Sequence, residues 1–364
     1  MLYVKSEVST LKKVLLHRPG EELGILNEDN MQDYLFDELP DLAVAQKEHD
    51  FFAKILKDNG VETVYLPDLM EEVLNKNDIK DAFIKDFLRR QDCHDEGIYN
   101  DLLKIRDNKE LIIKTMSGFD GRLKAIPNLY FTRDTFTIIG EGIAIYNMHT
   151  DVRRREGIYG EYINRYHPDF KAKEYYRIDM PYQIEGGDVL LLSDDCIAIG
   201  VSERTSLDAA VLLAGNLMKD GIIKKALAVE IPSRRACMHL DTVFTRFSFS
   251  KFVIYDEIYR NLKLKLIDEN GVRDINESLE KTLCDLLGIE DLLLLKCSDP
   301  REQWNDACNS LCIAPDKIIV YDINEEMNRK YTQAGAAVFT IPSKELIKGR
   351  GGPHCMSMPL IRKK

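Results

Sequence analysis

Asp241-Thr-Val-Phe-Thr-Arg-Phe-Ser-Phe-Ser-Lys-Phe-Val-Ile-Tyr255 is a polar residue followed by two apolar runs divided by a short turn. Such a stretch reads as a β-hairpin with a polar opener. Three further segments share the pattern. Asp134-Thr-Phe-Thr-Ile-Ile, with the turn Gly-Glu-Gly, leads to Ile143-Ala-Ile-Tyr-Asn; Asp188-Val-Leu-Leu-Leu, with the turn Ser-Asp-Asp, leads to Cys196-Ile-Ala-Ile-Gly; and Asn309-Ser-Leu-Cys-Ile-Ala, with the turn Pro-Asp, leads to Lys317-Ile-Ile-Val-Tyr-Asp. The openers stand 54, 53 and 68 residues apart, and the long last step holds the extra polar stretch Asp268–Ser278. A recurrence of this kind marks a repeat architecture.

Each hairpin precedes a helical pattern, over Asp151–Tyr166, Ser206–Asp220, Asn276–Leu287 and Asn324–Ala334. A further strand closes most of the units, at Lys224–Ile231, Asp291–Lys296 and Ala336–Ile341. Leu11–His17, the helical Asp41–Asn59 and the strand Val61–Leu66 make a partial fifth unit. Five ββαβ units predict a closed, pseudosymmetric α/β-propeller, because each unit alone leaves strand edges and an apolar face uncovered. The openers then converge on one axis, where a small-molecule site forms. Residues 67–123 fit no unit and carry helical spacing, as in Ile79, Phe83, Phe87, so they read as a helical insertion.

The remaining statistics narrow the function. With 364 residues, 45% hydrophobic, and only 12 Pro and 21 Gly, the chain is neither disordered nor collagen-like. No Pro/Ser/Gly-rich linker divides it, so one domain over 1–364 is expected. Its 50 Lys+Arg against 61 Asp+Glu give a net charge of −11, which excludes nucleic acid as a partner. Apolar runs such as Leu292–Leu295 fall far short of the ~20 residues of a membrane span. The stretch Met1–Lys12 has no signal-like apolar region and reads as unprocessed and cytoplasmic. Eight cysteines without CxxC pairs read as free thiols, and no cluster has metal-ligand spacing, so no metal is expected.

The openers and their neighbours gather polar residues in apolar surroundings: Asn128 to Asp134, Glu185 to Asp188, and His239 to Asp241. Buried acids on one axis call for a cationic ligand, and carboxylates grip a guanidinium in a planar fork. Asp134 and Asp241 are expected to hold its nitrogens and leave its carbon open. Cys355, in Gly349-Arg-Gly-Gly-Pro-His-Cys355, is the candidate nucleophile, with His354 and Arg350 placed to stabilise a thiolate. His239 with Glu185 supplies acid and base.

At these residues the sequence resembles the arginine deiminases, guanidine-modifying enzymes with the pentein fold. The motifs are Val14-Leu-Leu-His-Arg-Pro-Gly, Pro127-Asn-Leu-Tyr-Phe-Thr-Arg-Asp, Ile184-Glu-Gly-Gly-Asp, Gly200-Val-Ser-Glu-Arg-Thr, Met238-His-Leu-Asp-Thr, Arg301-Glu-Gln-Trp-Asn-Asp and Cys355-Met-Ser-Met-Pro. The resemblance implies that Cys355 attacks the guanidinium carbon of L-arginine, held by Asp134 and Asp241, and that ammonia leaves. His239, oriented by Glu185, then protonates the amine and activates water against a covalent amidino-thioether, releasing citrulline. Asn128, Phe131, Arg153, Arg204 and Arg350 are the implied partners of the amino-acid end of the substrate, and Asp188 joins the substrate-binding set. The alternative for Arg153, in a run of arginines, is a solvated helix face. No cofactor is implied, and a homo-oligomer is expected.

Three departures from the family pattern stand out. Thr135 follows Asp134 where Pro is common, Ala307-Cys308 replaces a usual Gly-Ser, and the region around 266–295 is short. Cys308 is thereby a candidate second reactive thiol. Two competing readings are an amidinotransferase of the same superfamily, passing the amidino group to an amine, and an arginine-binding sensor without turnover.

Overall fold

The structure, a computed structural model, describes residues 2–363. Each apolar pair of runs folds as an antiparallel hairpin, and a helix then returns the chain to lay a third strand parallel to the second. A parallel neighbour needs such a crossover. The chain enters on β1 (Leu11–Leu16), crosses by the helix Leu42–Asp58, and adds β2 (Glu62–Tyr65) parallel to β1. After the insertion come β3 (Phe136–Ile139) and β4 (Gly142–Ile145), the helices Asp151–Arg154 and Gly157–Tyr166, and β5 (Glu174–Tyr176). The next unit is β6 (Val189–Ser193), β7 (Cys196–Val201), the helix Leu207–Lys219 and β8 (Lys225–Glu230). It is followed by β9 (Phe244–Ser248) and β10 (Lys251–Tyr255).

The long step between openers holds a hairpin of its own, β11 (Lys263–Asp268) and β12 (Gly271–Ile275). It pairs back onto β8, widening that sheet to five strands. The helix Leu279–Leu287 and β13 (Leu293–Cys297) then complete the sheet of β9 and β10. The next unit is β14 (Leu311–Ala314), β15 (Lys317–Tyr321), the helix Glu325–Gln333 and β16 (Ala337–Ile341). Three of the crossover helices start at side-chain caps that satisfy otherwise orphaned amides. Asp41 caps Val44, Ser206 caps Ala209 and Ser278 caps Lys281.

Four strands escape the sequence reading: the hairpin β11–β12, which lies at the stretch read only as polar, and β5 and β17. β5 spans three residues, too few for an alternation to register. β17 (Met358–Arg362) pairs antiparallel with β1, Leu15 opposite Met358, and turns the partial fifth unit into a full three-stranded sheet. The five sheets touch in a closed cycle: β17 against β3, the Gly186 amide on the Asp134 carbonyl, β6 against the turn Leu240–Thr242, β9 against β14, and β14 against β1. These contacts run along the first strand of each hairpin, so the opener residues face one another.

The insertion forms the helices Leu66–Lys76, Lys80–Arg90, Glu96–Lys104 and Asn108–Ser117. Their apolar faces share one core with β3, β4 and the helix Gly157–Tyr166, through contacts such as Phe83 against Tyr159 and Tyr162. No described helix is long and apolar enough to cross a membrane.

Candidate active site

At the convergence of the openers lies a narrow cavity lined by Asn128, Phe131, Asp134, Arg153, Arg204, His239, Arg350 and Cys355, together with Leu35, Arg235, Met238 and Gly349. Its free space is about 10 Å3, room for a single water. Eight of the sequence-expected residues line the cavity; Glu185 stands behind it on His239 and Asp241 beside Cys355. Asp188 stands behind the wall, its Oδ2 accepting from Thr205 Oγ1 at 2.6 Å and its Oδ1 from the Leu240 amide at 2.8 Å. Burial pushes its carboxyl up to about 7, against the opposing pull of the His239 charge and those two bonds. It braces the turn that carries His239.

The acids are placed to receive a cation. Asp134 and Asp241 are both buried, and Oδ1 of each has no hydrogen-bond partner among the described residues. An unpartnered buried carboxylate oxygen is costly unless a ligand satisfies it. The second oxygens are used within the protein: Asp134 Oδ2 accepts from Arg153 Nη1 at 2.8 Å, and Asp241 Oδ2 from His354 Nδ1 at 2.8 Å. His239 Nε2 lies 2.6 Å from Glu185 Oε2, and its Nδ1 is 3.7 Å from Asp134 Oδ1. Burial alone would lower the His239 pKa, but the charges of Asp134, Glu185 and Asp188 outweigh it and carry it up to about 9. Burial works the other way on Glu185, yet the His239 bond and the Arg204 charge hold its carboxyl well below the usual range. The result is a buried proton donor locked to a carboxylate.

Cys355 Sγ is 3.3 Å from Asp241 Oδ2 and 3.1 Å from Asn309 Nδ2. Burial, and then the charges of Asp241, Asp134 and Asp306, push its thiol well above the ordinary range. The expectation that His354 and Arg350 stabilise a thiolate is therefore corrected. The His354 ring is spent on Asp241 and on Glu7 Oε2 at 3.2 Å. The Arg350 guanidinium stacks 3.5 Å over the Trp304 ring and donates to the Trp304 carbonyl.

Arg153 is no solvated helix face: it is buried, paired to Asp134 and doubly to Glu156. Arg204 reaches Glu185 Oε2 at 3.4 Å. Cys308 is fully buried with its thiol pushed up by burial, so it does not act as an exposed reactive thiol. Asn309 is the residue that sequence reasoning passed over. Its Nδ2 also donates to the Asp241 carbonyl at 3.0 Å, while its Oδ1 accepts from the His354 and Cys355 amides, both at 3.1 Å. It is the fourth opener, so the repeat carried the signal. Arg235 ties Leu35 and Asp37 over the cavity, Nε to Asp37 Oδ2 at 3.0 Å, and no pattern announced those loop residues.

A family model described as arginine deiminase matches residues 32–120 and 97–362. Among curated relatives, the arginine deiminase of Treponema denticola is 43% identical, covering 100% of this chain and 98% of that protein. That of Streptococcus gordonii is 39% identical, covering 99% and 98%. Two solved structures share the fold at low identity. A dimethylarginine dimethylaminohydrolase adduct has a TM-score of 0.59 at 17% identity, covering 96% of this chain and 99% of that one. The N-terminal domain of ArgZ, an arginine dihydrolase from Cyanobacteria, has 0.60 at 14%, covering 96% and 97%. These neighbours are pentein-fold proteins, and the chain has that fold. With the model spanning most of its length and relatives matching it end to end, the chain belongs to the arginine deiminase family.

Proposed function

We propose that the chain hydrolyses L-arginine to L-citrulline and ammonia in this cavity. The observation that carries the reading is the pair of unpartnered oxygens on Asp134 and Asp241, set around Cys355 and facing a His239–Glu185 couple. A guanidinium donates N–H groups to both oxygens. Its charge offsets the acids that hold the Cys355 proton, so the thiol ionises as substrate arrives, passing its proton by way of Asp241 Oδ2 to solvent. The thiolate adds to the guanidinium carbon, and His239 gives its proton to the departing nitrogen, which leaves as ammonia. Neutral His239 next takes a proton from water, whose oxygen attacks the amidino-thioether carbon. Collapse expels the sulfur, which recovers a proton from the adduct's hydroxyl, and citrulline is released.

Arg153, Arg204, Arg350, Asn128 and Phe131 serve the amino-acid end of the substrate in this reading. Arg153 and Arg204 are held by acids of the site, and Arg350 by Trp304, so the narrow cavity widens as these side chains exchange partners for the substrate carboxylate. The chain acts as one catalytic domain, with residues 67–123 as its helical insertion. Whole-length relatives named arginine deiminase favour water over an acceptor amine, and an intact nucleophile with its acid–base couple disfavours a sensor.

The test is citrulline and ammonia release from L-arginine by the purified protein, run beside Cys355→Ala and beside agmatine, which lacks the carboxylate. Equimolar citrulline and ammonia, loss of turnover with retained arginine binding in Cys355→Ala, and inert agmatine are expected. Appreciable turnover by Cys355→Ala would sink the nucleophile assignment.

A further inference from the structure

A second cavity, of about 460 Å3, lies between the helical insertion and the unit built on β3 and β4. That volume falls in the range of small-molecule pockets. Guanidinium groups from separate elements line it: Arg89 and Arg90 close the helix Lys80–Arg90, Arg154 and Arg155 stand at the end of Asp151–Arg154, Arg165 comes from Gly157–Tyr166, and Arg177 follows β5. Three acids share the wall, and two more pair with its arginines from beside it, Asp86 with Arg89 and Arg90 and Asp151 with Arg154. Glu161 pairs with Arg90 and Arg165, Asp179 with Arg177, and Glu174 accepts from Asn164. Arg155 is buried, and its one bonded nitrogen, Nη2, donates to the Ala125 carbonyl at 2.7 Å. The Nε atoms of Arg155 and Arg90 are buried without a hydrogen-bond partner among the described residues.

Six guanidinium groups against five acids, with Arg155 in no ion pair among the described residues and two buried Nε atoms unpartnered, leave an excess of N–H donors that suits an anion, in a chain whose net charge is −11. Planar forks match the oxygens of phosphate groups, and their spread over separate elements suits more than one such group. The wall offers no aromatic face on which a nucleobase would stack. We propose that this cavity binds a compact polyanion of the phosphate class, and that its occupancy is felt at the active site.

The route between the two cavities is short. Arg154 donates from Nε to the Met148 carbonyl at 3.2 Å and from Nη2 to the His149 carbonyl at 3.3 Å. The His149 amide in turn donates to Glu185 Oε1 at 2.9 Å, the carboxylate locked to His239. The residue before Arg154 is Arg153, which holds Asp134. A polyanion that draws Arg154 off its two carbonyls loosens the segment that fixes Glu185, which is a differential contact of the kind that coupling requires.

The test is calorimetric titration of the full chain with pyrophosphate at low ionic strength, beside the double variant Arg165→Gln/Arg177→Gln. Both side chains are about half exposed and lie outside the catalytic machinery. One site per chain is expected, about tenfold weaker in the double variant, whose turnover without pyrophosphate is unchanged. Saturating pyrophosphate is expected to lower kcat/KM for arginine about fivefold in the wild type and not in the variant. No binding at millimolar pyrophosphate, or binding that the variant does not weaken, overturns the site. Binding with kcat/KM unchanged overturns the coupling, and equal affinity for citrate overturns the phosphate class in favour of charge alone.

Discussion

Asn309 makes four contacts from one amide, and three of them bear on Cys355 or Asp241. Its N–H to Sγ strengthens as the sulfur becomes an anion, so it belongs with the groups that favour the thiolate. Asn309→Ala should lower kcat about tenfold to a hundredfold with a smaller change in KM, read from steady-state kinetics. A change confined to KM would place it on substrate binding instead. In the proposed reaction His239 sets the pH dependence. Its folded pKa, about 9, lies above the value for a free imidazole, so the charged ring's contribution to stability is complete below about pH 6.5 and is lost as pH rises through about 9. The departing ammonia needs the same proton, so kcat is expected to fall on the alkaline side of about pH 9. A rate that stays level to pH 10 would remove His239 as the acid. At this scale the sequence was legible where residue type declares chemistry, as with Cys355 and the acidic openers. It was opaque where burial comes from partners: Arg153 sits in an arginine run that looks solvated until Asp134 and Glu156 take it inside.

The turns that precede the inner strands matter more than the strands for delivering side chains. Gly187 lies against the His239 ring, and a Cβ there would stand 2.6 Å from Nδ1. The contact is with a ring clamped by Glu185, so it cannot give way without breaking that pair. Gly187→Ala should therefore cost about a hundredfold or more in kcat while the fold survives, checked by kinetics and circular dichroism together. Unaltered kcat would mean that His239 has more freedom than its bonds imply. Among elements, the four hairpins were legible because long apolar runs stand between polar openers. β17 was not, since Pro359 argues against a strand and its partner β1 lies at the other end of the sequence. Pro359 is accommodated because β17 is an edge of its sheet.

At the scale of the whole molecule, the insertion and the unit beside it bury one continuous apolar core. A shared core predicts that they unfold together: urea titrations followed by fluorescence and by circular dichroism should superimpose in one transition. Two separated transitions would make residues 67–123 an independent domain. Phe83→Ala, which empties space against Phe87, Tyr159 and Tyr162, should lower the free energy of unfolding by about 3–5 kcal/mol and move the single midpoint to lower urea.

Cys355 stands three residues before β17, the strand that seals the first sheet against β1. During synthesis β1 precedes β17 by more than three hundred residues and has one edge bare until Met358–Arg362 follows. In the proposed reaction, delivery of the thiol and sealing of the sheet are therefore one event. A chain cut before Cys355 lacks both the thiol and the strand that closes the first sheet, and is expected to be inert rather than partly active.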